Sequence, residues 1–136
     1  MLALRKDGRW LFEPRPAFGL WGGLWQLPTE VLDDGEPSVA AARRIAGRVE
    51  RNLGSSIDVN PVPQGEVRRR LTHRAVTFIV YTGRFTRQDG RRPARRAICD
   101  PAKLPHRWCT DAELPGAPLS TAMRAVVTLT SELRKI

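Results

Sequence analysis

The stretch Ala75–Thr82 constrains the fold more than any other part of this 136-residue chain. Val76, Phe78 and Val80 alternate with Thr77, Ile79 and Tyr81, a period of two that reads as a β-strand. Both alternating sets are largely apolar, so the strand can leave neither face to water. It predicts a central strand with a helix or loop packed on each side. Residues 66–70 read as a strand before it, and Gly83 to Arg87 as its continuation towards an edge. The expected architecture is a mixed α/β (α+β) domain. A chain of this length buries one such core and not two.

The flanking segments supply the other layers. Leu2-Ala3-Leu4 and Trp10-Leu11-Phe12 surround Asp7-Gly8, a pair that tolerates the positive φ angles of a tight hairpin turn. Pro14 and Pro16 end the second strand, because neither can donate to a ladder. Residues 19–28 read as an ordered loop of glycines and large apolar side chains. Pro37 suits the first turn of a helix, and Val39, Ala42, Ile45, Ala46, Val49 and Leu53 make one apolar stripe that Gly54 stops. Arg43, Arg44, Arg48, Glu50 and Arg51 lie off the stripe and read as solvated. A turn-rich stretch follows to Pro63, and residues 111–114 read as a short turn or helix. Ser120 caps a last helix whose inner side carries Ala122, Met123, Val126, Val127, Thr130 and Leu133. Neither a repeat nor a domain boundary interrupts this order, so residues 1–136 read as a single domain.

Several classes drop out. The first seven residues hold no long apolar run of a secretion signal, and no segment approaches the roughly 20 apolar residues needed to cross a bilayer. The expectation is a cytoplasmic, nucleoid-associated protein with no membrane partner. Cys99 and Cys109 show no zinc spacing with His73 and His106, and are too few for a four-cysteine cluster. No metal or cofactor is expected, and His106 and both thiols read as bystanders.

Charge is the strongest pointer to a partner. The net charge is +9, and 20 of the 23 basic residues are arginine. Residues 64–96 alone carry a net +8, with Arg68, Arg69, Arg70, Arg74, Arg84, Arg87, Arg91, Arg92, Arg95 and Arg96 against Glu66 and Asp89. Arginines around strand ends suit phosphate contacts through bidentate charge-assisted bonds; the bland alternative is a charged edge that prevents strand pairing. Since a strand alternates faces, Arg68 to Arg70 cannot all meet one backbone. Arg69, Arg70, Arg74, Arg92 and Arg95 are the phosphate-binding candidates. Trp21 and Trp25 are candidates for stacking on bases or packing between domains, against the simpler reading as core; Trp10 and Trp108 read as core.

An ordered set of motifs carries a family resemblance. Arg15 with Gly19-Leu20-Trp21-Gly22-Gly23-Leu24-Trp25-Gln26-Leu27-Pro28 resembles the opening of the C-terminal domain of bacterial A/G-specific adenine DNA glycosylases, the MutY family. Leu71-Thr72-His73-Arg74, Trp108 with Asp111, Glu113 and Leu114, and Leu119-Ser120-Thr121-Ala122-Met123-Arg124 continue it in order. The resemblance covers nearly the whole chain and implies a Nudix-like fold, with helices on both sides of a mixed sheet. It also implies a role in recognising 8-oxoguanine opposite the adenine to be removed, in base excision repair of double-stranded DNA. The lesion-recognition loop carries over to Leu71, Thr72 and His73. Leu71 stands where the family has an aromatic residue, so hydroxyl and imidazole bonding remain while stacking at that position is lost.

The same resemblance raises the question of catalysis. A Nudix hydrolase holds divalent metal with several acids on one helix. Aligning Gly54 with the closing glycine of that motif puts Gly47-Arg48 and Arg51-Asn52 where the acids belong. Glu50, among Arg44, Arg48 and Arg51, is expected to form a salt bridge. Glycosylase chemistry resides in the family in a separate helical domain with an iron–sulfur cluster, which this sequence does not contain. The expectation is thus no catalytic residue in this chain, activity only with such a catalytic domain as partner, and two alternatives: a nucleotide-hydrolysing or nucleotide-binding Nudix protein, or a scaffold for protein contacts.

Overall fold

The computed structural model describes residues 1–15, 22–86 and 106–133. The expected hairpin forms between β1 (Leu2–Lys6) and β2 (Arg9–Pro14), with Arg5 opposite Trp10. Asp7 at φ 53° and Gly8 at φ 75° make the turn, the double positive φ that matches the twist of paired strands. β6 (Ala75–Phe85) is the central strand: it pairs in parallel with β1, and antiparallel with β5 (Gly65–Arg70) and β4 (Ile57–Val59). Among the described residues the sheet has seven strands, with the order β3-β2-β1-β6-β4, where β3 is Trp25–Gln26; off this path β5 pairs with β6, and β7 (Arg107–Thr110) pairs with β2.

Among the described residues, two helices cover the two faces. α1 (Ser38–Leu53) buries Ala42, Ile45, Ala46 and Val49 against Leu2, Leu4, Leu11 and Tyr81. α2 (Thr121–Leu133) buries Ala122, Met123, Val126 and Val127 against Ala3, Phe12, Val67, Phe78 and Val80. Alternation along β6 thus divides the core in two, as its two-sided apolar pattern requires. At Gly83 the side chains of β1 and β4 leave no room for another on β6: a Cβ there would lie 2.8 Å from Leu4 Cδ2 and 3.1 Å from Ile57 Cγ2.

The helix ends follow local chemistry. Gly54 at φ 67° closes α1 by donating its N–H to the Glu50 carbonyl at 2.8 Å, as a left-handed C-cap does. Pro37 sits one position outside α1 rather than within its first turn. The Ser120 hydroxyl accepts the Met123 N–H at 3.1 Å and caps α2. Arg124 reaches back from α2 to the carbonyls of Leu114, Pro115 and Ala117, holding the short 3-10 turn Leu114–Gly116 against the helix. No helix among the described residues is long and apolar enough to cross a membrane.

Two strands, β3 and β4, lie in segments read as loop or turn, and β7 lies where the sequence pattern indicated no element. β3, β4 and β7 are two, three and four residues long. Each is defined by its partner strand rather than by a pattern of its own.

Candidate nucleic-acid interface

The segment expected to read a damaged base forms the tip of the β5–β6 hairpin. Arg70 lies opposite Ala75, Arg69 opposite Val76 and Arg68 opposite Thr77. The Leu71 N–H donates to the Arg74 carbonyl at 2.7 Å, which closes the loop Leu71–Arg74. Leu71 is half-buried, whereas Thr72, His73 and Arg74 are exposed. The hydroxyl and imidazole therefore project at a strand-supported tip with basic residues on either side.

The arginines of β5 do not act as one group. Val67 is 8% exposed beneath α2, and a Cβ on Gly65 would lie 3.0 Å from Leu129 Cδ2 of that helix. Gly65, Val67 and Arg69 therefore share the face toward α2, and Glu66, Arg68 and Arg70 point the other way. Arg69 and Arg70, both expected to meet phosphates, lie on opposite faces. Arg69 is half-buried, and its Nη1 donates to the Arg68 carbonyl at 3.1 Å. Arg68 and Arg70 are exposed.

The basic stretch 64–96 is also not one patch. Arg84 is ten residues beyond Arg74 along β6, about 33 Å at the rise of a strand. It leaves the opposite end of the sheet, beside a cleft of about 570 Å³ that Arg5, Asp58, Asn60 and Gln64 also line. Arg92 and Arg95, and likewise Trp21 and Cys99, lie outside the described residues. Trp25 is half-buried, its ring centroid 6.4 Å from that of Phe12, and its backbone N–H donates to the Pro118 carbonyl at 2.8 Å. That ring packs against the α2 side of the core. Trp10 is fully buried, with its Nε1 donating to Asp111 at 2.7 Å and the Arg5 guanidinium 4.6 Å over its ring.

The outward face of α1, where a Nudix hydrolase would place acids, carries guanidiniums instead. Arg48, read as solvated, makes a bidentate pair with Glu13 at 2.8 and 3.2 Å, and Glu13 is 7% exposed. Arg44 bonds Glu30 at 2.6 Å and Glu36 through two nitrogens. Arg48 also lies 3.6 Å from Glu30. Hydrogen bonding to Glu13 raises the Arg48 pKa above its ordinary value, and bonding to Arg44 lowers that of Glu36. The salt bridge expected at Glu50 is replaced by a backbone contact: its Oε1 accepts the Ile57 N–H at 3.3 Å, where β4 begins. Hard divalent cations need several free oxygen ligands. Gly47, Arg48, Arg51 and Asn52 offer no carboxylate, Glu50 accepts a backbone N–H, and Glu13, Glu30 and Glu36 already hold guanidiniums. This donor set does not fit a divalent cation.

Sequence reasoning missed this network because Glu13 lies 35 residues from its partner, and only the fold brings the two together. His106 belongs beside it: its Nε2 is buried without a partner, and burial lowers its pKa, with Arg48 adding to the effect and Glu13 opposing it. Cys109 is a buried free thiol, pushed up in pKa by burial.

Comparison with known proteins agrees with this geometry. The NUDIX domain family matches residues 1–129. An adenine DNA glycosylase from Rattus norvegicus is 29% identical over 126 residues, covering 92% of this chain; the chain spans 22% of that protein's length. The C-terminal domain of mouse MUTYH, solved in complex with human PCNA, superimposes with a TM-score of 0.65 at 25% identity, covering 98% of this chain and 85% of that one. The fold alone is shared with a MutT NUDIX hydrolase from Burkholderia pseudomallei, at a TM-score of 0.65, 24% identity, and coverage of 95% and 92%. The chain belongs to the NUDIX domain family, and within it resembles the C-terminal domain of MUTYH and part of an adenine DNA glycosylase.

Proposed function

We propose that residues 1–136 act as one DNA-recognition domain of the adenine DNA glycosylase kind, helping to read 8-oxoguanine mispaired with adenine. One observation carries this reading: the β5–β6 hairpin presents exposed Thr72 and His73 between exposed Arg70 and Arg74, on a fold similar to the C-terminal domain of MUTYH. The chemistry suits the lesion. Oxidation at C8 of guanine turns the N7 acceptor into an N–H donor and adds a carbonyl acceptor. A hydroxyl and an imidazole each offer both a donor and an acceptor, so both changes can be met. Arg70 and Arg74 supply the sequence-independent phosphate contacts that hold the tip against the duplex. Base removal would fall to a separate helical catalytic domain, and the working place would be the nucleoid in the cytoplasm.

A second reading rests on the MUTYH structure being a complex with PCNA: a face of this domain would contact another protein. Nucleotide hydrolysis is supported less well, since Arg44 and Arg48 engage the acids that line α1.

The test is binding of the 136-residue chain to duplexes carrying an 8-oxoguanine:adenine pair or a normal pair, followed by anisotropy from 50 to 200 mM salt. The expected result is salt-dependent binding to both, tighter to the lesion. Equal affinity at every salt concentration sinks lesion reading, and no binding at 50 mM sinks DNA recognition.

A further inference from the structure

The arginines of β5 divide into two roles that the net charge conceals. We propose that Arg68 and Arg70 are the phosphate-binding residues of β5, that Arg69 is structural, and that Glu66 restrains Arg68 when DNA is absent. The proposal rests on the DNA reading above and names the atoms that would carry it.

Strand alternation is the starting point. Arg68 and Arg70 share the solvent face of the hairpin, with side chains two residues apart and so about 6.6–6.8 Å apart along the strand. Arg74 precedes Ala75, the residue opposite Arg70, so alternation leaves it outside this row. Neither Arg70 nor Arg74 forms an ion pair among the described residues. Two guanidiniums on one face can follow one phosphate backbone, each with two donors presented together.

Arg69 cannot join them. By alternation with Val67 it points toward α2, across a groove that residues 66–69 of β5 line together with Ala125, Thr128 and Leu129. Its guanidinium holds the carbonyl of Arg68 on the outer edge of the sheet, since among the described residues β5 pairs with β6 alone. A charged side chain laid along an edge strand in this way discourages pairing with another chain.

Glu66 is on the DNA side of the division. It shares the face of Arg68 and Arg70, and its carboxylate is 3.6 Å from Arg68 Nη2. The two side chains are 49% and 80% exposed. A pair so exposed is weak and readily exchanged for a better anion. Phosphate binding by Arg68 must first displace Glu66, and the carboxylate then repels the incoming backbone. Glu66 thus lowers affinity for any duplex without touching a base.

Four variants of the 136-residue chain test this by anisotropy on a normal duplex across a salt series. Circular dichroism melts confirm that each is folded. Arg68→Gln is expected to reduce the salt slope by about 0.9, the loss of one phosphate contact. Arg69→Gln leaves the slope unchanged. Glu66→Gln tightens binding about threefold, and that gain disappears when combined with Arg68→Gln, as coupled residues require. A slope reduced by Arg69→Gln and not by Arg68→Gln overturns the division of faces. A Glu66→Gln gain that persists without Arg68 overturns the restraint. A wild-type chain that binds no duplex at 50 mM salt overturns the DNA reading together with this proposal. Duplex binding with either of the two preceding results overturns the proposal alone.

Discussion

Two groups of arginines on this chain look alike in sequence and differ in how firmly carboxylates of the chain hold them. Arg44 and Arg48, on the outer face of α1, are held by Glu13, Glu30 and Glu36. Arg68, Arg70 and Arg74, on the β5–β6 hairpin, are exposed, and their one carboxylate contact among the described residues is the loose Arg68–Glu66 pair. The first group neutralises acids of its own chain, one of them buried. The second leaves its charge to a partner. The difference teaches that a net charge of +9 is not a quantity of binding capacity. What matters is which guanidiniums the fold has already engaged.

Breaking the first group carries the largest expected effect. Arg48→Ala leaves the carboxylate of Glu13 buried without its partner and should cost roughly 2–3 kcal/mol in urea unfolding. That is below the 3–5 of a fully buried pair, because Arg48 keeps some solvent contact. DNA affinity of the folded variant should not change. A loss under about 0.5 kcal/mol, the scale of an ordinary surface change, would mean the two groups do not differ as described.

The reciprocal variant follows. Arg70→Ala with Arg74→Ala should leave unfolding within about 0.5 kcal/mol of wild type. It should weaken duplex binding about tenfold near 100 mM salt, with the salt slope down by about 1.8. Destabilisation without loss of binding would reverse the assignment.

Arg124 is a sharper control, since it lies on an exposed helix position yet donates to three carbonyls of the 114–117 turn. Arg124→Ala should cost about 1 kcal/mol of stability and leave the salt slope untouched. A reduced slope would add Arg124 to the DNA-facing group.

The smallest effect concerns pH. His106, beside the Arg48–Glu13 pair, has a lowered pKa chiefly from burial. As pH falls through about 6.5, the unfolded chain takes up this proton before the folded one does. Stability should therefore decline below that pH until the lowered folded value is passed, and His106→Gln should flatten the decline. Nuclear magnetic resonance titration of Arg48→Ala should show the imidazole pKa rising, because a repelling cation is gone. An unchanged midpoint would separate His106 from the network.

Much of the scaffold was legible in sequence, for reasons that are local. Asp7-Gly8 could only be a tight turn, the stripe from Val39 to Val49 could only be one buried helix face, and β6 needed cover on both sides. The strands β3, β4 and β7 were not legible: a run of two to four residues has no period, and only a partner makes it a strand. The loop Leu71–Arg74 was legible as a connection between two strands and as a family motif. The faces of Arg68, Arg69 and Arg70 were not, since alternation says that neighbours diverge but not which of them meets α2.

The sequence by itself determined the layered class of this protein, because burial of a two-sided apolar strand leaves no other solution. It also determined where positive charge concentrates along the chain. Only the tertiary structure decided which charges are free. Glu13 and Arg48 are 35 residues apart in the chain and 2.8 Å apart in space, and Coulomb attraction depends on the second distance alone.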